Sequence, residues 1–405
     1  MKRALFISSR ELWPVSDGSK IRTVQQLEFL AQTYQVDLLV ESACPKRDVG
    51  RLSSYVREYH HIQRSKLSSI LGTLRFLFNN RPLQVNYYYD SDMQSYVSRY
   101  AADYDLIFCN NIRTAEYVLR LDPAKRPVCV LDYVDAISMN YAGAVDHASG
   151  LFKWIYRIDS KRCAAYEKEM LHYFDHVMAI SQKDAVWMGG EGKDNPIQVV
   201  SNGVEKCTST FPQVEDPIVT FVGKMNYEPN EVAVTWFANR VLPVIKQVIP
   251  EVQFRIVGVS PSDKVLRLQD DPHVLVTGFV KDVTEEMGHA AVIVAPMLTG
   301  AGVQNKILMA MAAGCCVVTT PLGEEGIEGH DGALTVVEGA ELFAATVIKL
   351  LCCPAQRKEL GAKAQSFVNS HLTKEHVYAD FQKALQHKNT QCIRKEDGYG
   401  TDEGR

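Results

Sequence analysis

Short apolar runs separated by amphipathic segments recur along the whole chain. In the first half they fall at Ala4 to Ser9, Val36 to Val40, Asp105 to Cys109, Val128 to Leu131 and Val177 to Ile180. In the second they fall at Ile218 to Val222, Phe254 to Val257, Val274 to Thr277, Val292 to Ala295 and Cys316 to Thr319. The intervening segments have helical spacing, as in Val24, Leu27, Leu30 and Ala31, and most clearly from Glu231 to Val248. Strands alternating with helices predict parallel, doubly wound sheets, and the plan appears twice. Two such sheets in tandem leave a cleft lined by the carboxyl ends of both sets of strands, where ligands of open α/β sheets bind. The weakly patterned segment Asn202 to Pro217 is the expected boundary.

Residues 290–320 carry the sharpest local signal. A strand ends at Thr299-Gly300-Ala301-Gly302, where glycines permit positive φ and leave no side chain between backbone and ligand. A helix follows through Val303, Ile307, Leu308, Met311 and Ala312, then a Gly314 stop and a second β-branched run. The start of such a helix offers free N–H groups to an anion, above all a phosphate, and Lys306 adds a full charge. An ordinary strand-helix-strand crossover with a tight turn is the plainer alternative. No Walker pattern occurs, and the first strand-to-helix turn lacks GxGxxG.

The stretch GAGVQNKILMAMAAGCCVVTT resembles the donor-site segment of the retaining glycosyltransferases of family 4, the group 1 class with the GT-B fold, in its branch with GAG followed by NK. Ser201-Asn202-Gly203-Val204 resembles that family's interdomain NGV, Phe221 to Asn230 (FVGKMNYEPN) the opening of its second domain, and Val276 to Asp282 (VTGFVKD) its base-binding loop. The four pieces occur in the family's order over roughly residues 195–350. The first half matches more loosely through DGSKIRTVQQLEFLA and VLDYVDAISMNYA.

The resemblance implies a GT-B protein: an acceptor-side Rossmann-like domain over 1–205, a donor domain over 206–372, a helix over 373–387 packing back on the first domain, and a disordered tail over 388–405. It implies transfer of a sugar from a UDP- or GDP-sugar, with retention, to a glycan or lipid-linked acceptor of surface polysaccharide or glycolipid synthesis. Lys224 and Lys306 match the basic residues that stabilise the leaving diphosphate, aided by the turn of Gly300, Ala301, Gly302 and Val303, with Gly223 beside Lys224. Gly278, Phe279 and Val280 correspond to the base loop. Gly18, with Ser19 and Lys20, lies where the family's first loop approaches the donor phosphates. Asp132 stands where many relatives carry a histidine that contacts the sugar, and Asp135 follows in the same loop; either orients a sugar hydroxyl or caps the following segment. Relatives place a glutamate before the AMA of the donor helix, but this chain has Met309, a weak acceptor, so Glu324 or Glu325 is expected to take over the ribose contact. A nucleotide-sugar epimerase on the same plan and a catalytically silent partner subunit remain alternative readings.

At 405 residues the chain suits two domains, and 46% hydrophobic with 23% charged residues is an ordinary globular composition. A net charge of −4 gives no reason to expect nucleic-acid binding. The ten cysteines include no CxxC, and no HxxH or HExxH occurs, so no zinc site is expected; no DxD-like clamp stands near the donor segment, so no obligatory metal is expected. No apolar run reaches the ~20 residues of a membrane span, and the first run is too short for a signal peptide, so a cytoplasmic location is expected. From Tyr59 to Tyr89 there is no acidic residue, while Arg64, Lys66, Arg75 and Arg81 surround Leu67, Ile70, Leu71, Leu74 and Phe78. An amphipathic helix there either packs on the sheet with solvated charges or rests peripherally on an anionic membrane.

Overall fold

A computed structural model describes every residue except 14, 16–17, 43–49, 64–65, 123, 208–210, 212–213, 301 and 386–405. The last of these ranges contains the whole of the expected disordered tail, 388–405, which therefore lies outside the described residues. The chain forms two compact units, one of Met1–Val200 with the segment from Tyr378, the other of Ser201–Val377.

The first unit holds a seven-stranded parallel sheet in the order β3-β2-β1-β4-β5-β6-β7. Its strands are β1 (Lys2–Ser8), β2 (Tyr34–Ser42), β3 (Glu58–Gln63), β4 (Leu106–Asn110), β5 (Val128–Asp132), β6 (His176–Ala179) and β7 (Ile197–Val199). The central strands are apolar throughout because helices cover both faces: Ala4, Leu5, Phe6 and Ile7 of β1 have no exposed surface. β3 was not expected. Its pattern Glu58-Tyr59-His60-His61-Ile62-Gln63 belongs to a half-exposed edge, with no apolar run to announce it. Tyr378 stacks on Phe29 at 4.9 Å and Phe381 lies 5.9 Å from the same ring, which ties the helix Lys374–Ala384 into this unit's core from Tyr378 onward.

The second unit holds a six-stranded parallel sheet ordered β10-β9-β8-β11-β12-β13. These are β8 (Ile218–Val222), β9 (Gln253–Val257), β10 (Val274–Gly278), β11 (Val292–Ala295), β12 (Val317–Thr319) and β13 (Thr335–Val336). A parallel bridge between Val204 and Thr373, and the close seat of Gly203 against Lys374, hold both of those segments in this unit. The long helix expected over Glu231–Val248 starts at Glu228 and opens into a π-turn at Phe237–Val241 before resuming at Leu242. Pro243 has no N–H to donate to the turn before it, so the regular ladder cannot pass through. Among the described residues no helix is long and apolar enough to cross a membrane.

Both sheets reverse strand order once, between β1 and β4 in the first and between β8 and β11 in the second. At such a switch point the loops leaving the two strands diverge and open a crevice at their carboxyl ends.

Candidate functional site

At the switch point of the second unit, the loop after β8 brings Gly223 and Lys224, and the loop after β11 leads through Gly300 and Gly302 to the helix Asn305–Ala312. Gly223 is needed for close approach: a Cβ there would sit 2.6 Å from Asn230 Nδ2, and Gly223 O already lies 1.7 Å from where a Cβ on Gly258 would be. Gly300 and Gly302 adopt φ of 110° and 74°, which a residue with a side chain adopts only under strain. Ala301 lies outside the described residues. The helix begins at Asn305, two residues later than Val303, and its cap residue Gln304 makes no side-chain cap bond. Val303 is buried.

Lys306 points into this corner. Its Nζ donates to Asn230 Oδ1 at 2.5 Å and to Met297 Sδ at 3.3 Å, and it lies 4.8 Å above the centre of the Phe221 ring. No carboxylate pairs with it among the described residues, and burial pulls its pKa down to about 7. Asn230 also donates from Nδ2 to Lys224 O at 3.0 Å, so one side chain fixes both the loop that carries the first lysine and the amine of the second. Nothing in the sequence marked Asn230 for this; only its position in the FVGKMNYEPN segment hinted at the site. Lys224 itself is half-buried, and its amine makes no bond to a described residue. Asn202, from the NGV segment, donates to Asn305 Oδ1 at 2.8 Å and braces the first turn of the helix.

The other candidates are distributed around this centre. Gly278 takes φ 69° at the end of β10, and Phe279 beside it is 78% exposed; Val280 follows it in the same loop. Met309 lies one turn beyond Lys306 and is half-buried. Glu324 is already engaged: His330 Nδ1 accepts from Leu334 N at 3.2 Å, which leaves Nε2–H to donate to Glu324 Oε1 at 2.8 Å. Glu325 is half-buried just past the helix Pro321–Glu324.

In the first unit Gly18 and Ser19 open the helix Gly18–Ala31, and Ser19 O accepts from Thr23 Oγ1. Asp132 ends β5 with no exposed surface. Both oxygens are occupied, by Arg22 Nε and Nη2 at 2.8 Å each, by Gln26 Nε2 at 2.5 Å and by Val134 N at 3.1 Å. Burial depresses the Arg22 guanidinium, but the paired carboxylate more than offsets this and holds it above its usual range. Of the two expected roles, this geometry is that of an internal brace for the loop after β5. Asp135 accepts from Asn140 Nδ2 at 2.6 Å, and burial, reinforced by nearby Asp184, raises its pKa.

Comparison with known proteins adds three findings. Residues 216–352 match the family described as glycosyl transferases group 1. The matched segment lies within the second unit. The chain is 23% identical over 94% of its length to an uncharacterized 44.6 kDa protein in the cps region of Klebsiella pneumoniae, of which it covers 98%. In structure it is similar to sucrose-phosphate synthase from Thermosynechococcus elongatus (TM-score 0.67, 19% identity, 95% of this chain and 98% of that one). It is equally similar to Anabaena HepE in complex with UDP-glucose (TM-score 0.66, 14% identity, 95% and 100%). The two Rossmann-like units are those of the GT-B fold.

A pH dependence follows from the unpaired Lys306. An amine with a pKa of about 7 is largely neutral above that pH, and a bound diphosphate favours its charged form. Affinity for UDP is therefore expected to fall between about pH 7.5 and 9, by up to roughly tenfold per unit, with a proton taken up on binding. Calorimetry in buffers of different ionisation enthalpy reads the proton directly; a pH-independent affinity without proton uptake would contradict the assignment.

Proposed function

We propose that this protein is a glycosyltransferase that binds a UDP- or GDP-sugar on the second unit and transfers the sugar, with retention, to a glycan or lipid-linked acceptor in surface polysaccharide or glycolipid synthesis. One observation carries the reading: a largely buried lysine without a carboxylate partner stands at the switch point, beside a helix whose first turn has no side-chain cap. Such a charge is costly unless an anion completes it, and the departing nucleoside diphosphate is the anion that gains charge during transfer. The matching family model and the UDP-glucose complex of a structural neighbour support the same choice. In this reading Lys224 and the Gly300–Val303 turn share the phosphate contacts, and Phe279 with its neighbours Gly278 and Val280 lies against the base. Gly18 and Ser19 are the first unit's candidates for a phosphate contact, and the chemistry requires no metal ion. Glu324, whose Oε1 accepts from His330, and Glu325 beside it are the carboxylates proposed for the ribose hydroxyls.

The test is incubation of the purified protein with a panel of UDP- and GDP-sugars, reading nucleotide release and ligand-induced thermal shift. Met309 favours a second reading, a silent subunit of another transferase, because the acceptor oxygen that relatives supply there is missing. Tight binding gained only in Met309→Glu, with no loss in Glu325→Gln, would favour that reading.

A peripheral position on the inner face of the membrane belongs to the same proposal. The acid-free stretch forms the helix Lys66–Thr73 and a 3-10 turn at Leu74–Leu77 rather than one helix. Ile70, Leu74, Leu77 and Phe78 are more than half exposed, up to 88% at Phe78. Next to them a cavity of about 260 Å³ is lined by Arg75, Arg81, Arg120 and Glu116; Arg81 pairs with Glu116 and Glu169, while Arg75 and Arg120 both lie on the ring of Tyr89. Leu151, Phe152 and Trp154 are also exposed, on a helix whose neighbouring charges are Lys153, Arg157 and Lys161. The protein is expected to sediment with vesicles containing phosphatidylglycerol at low salt and to be released as salt shortens the ~10 Å screening length. Equal binding to phosphatidylcholine vesicles, or none to either, would count against a membrane position.

A further inference from the structure

The switch point of the first sheet is also basic, and none of the candidate residues named above accounts for it. The loop after β1 carries Arg10, and the loop after β4 carries Arg113. Arg113 is positioned in detail. Asn111 takes φ 69°, donates from its backbone N–H to Asp132 O at 2.7 Å, and accepts on its side chain from Arg113 N. Thr114 Oγ1 donates to Asn110 O and Asn111 O, which closes the turn. Gln84 Oε1, on a side chain that is itself 8% exposed, accepts from Arg113 Nε at 2.7 Å, and the Tyr88 ring lies 4.7 Å beneath the guanidinium.

This fixes one edge and one face of the guanidinium and leaves its two terminal nitrogens without a bond to any described residue. The neighbouring carboxylate, Asp135, is beyond ion-pair distance and is held by Asn140. Burial lowers the Arg113 pKa, with Arg10 adding to this and Tyr88 and Asp135 opposing it, and Arg10, which is exposed, has no carboxylate partner among the described residues. Two like charges on the loops that leave β1 and β4 at the switch point, with the Arg113 guanidinium clamped on one edge and one face, suit a planar, two-point contact with an oxyanion.

We propose that Arg113, with Arg10, binds an oxyanion carried by the acceptor, so that the acceptor is a phosphorylated or carboxylated glycan rather than a neutral one. This rests on the glycosyltransferase reading and specifies its acceptor. A phosphate would come from a lipid diphosphate anchor and a carboxylate from a uronic acid; the contact chemistry is shared, and the probes separate them.

The experiment uses the full chain with three probes: a short-chain prenyl diphosphate N-acetylglucosamine, methyl glucuronide and methyl glucoside. At least one anionic probe is expected to bind on the order of tenfold or more tighter than methyl glucoside. Arg113→Gln removes that preference and Arg10→Gln, at an exposed position that does not touch folding, weakens it, while affinity for UDP or GDP stays within about twofold of the parent. Equal binding of all three probes, binding of none, or a preference that survives both substitutions overturns the proposal. So does an Arg113→Gln variant that loses nucleotide and anionic probe alike, since the arginine would then serve the donor. If the parent binds nucleotide but shows no anion preference, only the acceptor assignment falls; if it binds neither UDP nor GDP, the glycosyltransferase reading falls with it.

Discussion

Replacing Lys306 by Met is expected to lower kcat/KM for sugar transfer about a hundredfold while leaving the ligand-free protein as stable as the parent. The first half follows from losing one preorganised positive charge beside the leaving diphosphate, which costs on the order of 3 kcal/mol of transition-state stabilisation. The second half separates function from structure. In the ligand-free protein the ammonium is buried against Met297 Sδ and the Phe221 ring, with the neutral Asn230 as its only oxygen partner among the described residues. Removing an uncompensated buried charge relieves desolvation, and the orphaned Asn230 oxygen costs about 1 kcal/mol in the opposite direction. Urea unfolding should therefore place the variant within about 1 kcal/mol of the parent, or above it. A variant that retains turnover and nucleotide affinity would remove Lys306 from the site. One that loses activity and stability together would make it a structural residue.

The opposite pattern is expected at Asp132. Asp132→Asn leaves the Arg22 guanidinium fully buried without its paired carboxylate, keeping the bond to Val200 O at 2.6 Å, and breaking a buried pair from one side costs about 3 to 5 kcal/mol. That is a large part of the stability of a typical domain, so soluble expression should fall as well. Replacing both partners, Arg22→Met with Asp132→Leu, is expected to recover most of the loss, because no buried charge remains unpaired. If Asp132→Asn unfolds at the parent's urea midpoint and loses only transfer activity, the carboxylate serves the sugar and not the loop.

The contrast between these two residues shows what local sequence can carry. Both were singled out as candidates for chemistry, Lys306 by the glycine turn and helix start before it and Asp132 by its place at the end of a strand. The first reading depends on a local arrangement, strand then turn then helix, that is encoded within a dozen or so residues by glycine φ and apolar spacing. It survives into the structure with the helix start moved by two residues. The second depends on what lies across the sheet. Arg22 sits 110 positions away on another helix, and no pattern near Asp132 announces that a guanidinium will be buried against it.

The sequence by itself determined the two-sheet parallel architecture, most of the strands, the glycine turn after β11 and the likeness to group 1 glycosyltransferases. Each rests on apolar periodicity or on backbone freedom, which are properties of neighbouring residues. Only the tertiary structure decided which charges are satisfied. It paired Asp132 with Arg22 and Glu324 with His330, joined Lys306 to Lys224 through Asn230, and left Arg113 clamped by Gln84 and Tyr88 with its terminal nitrogens open. It also decided that Glu58–Gln63 extends the sheet as an edge strand, since such a strand needs a partner and not an apolar run. The physical reason is common to all of these: a hydrogen bond or an ion pair is made between atoms that meet only after the sheets have formed, and the energy of a charge depends on what surrounds it once water has gone.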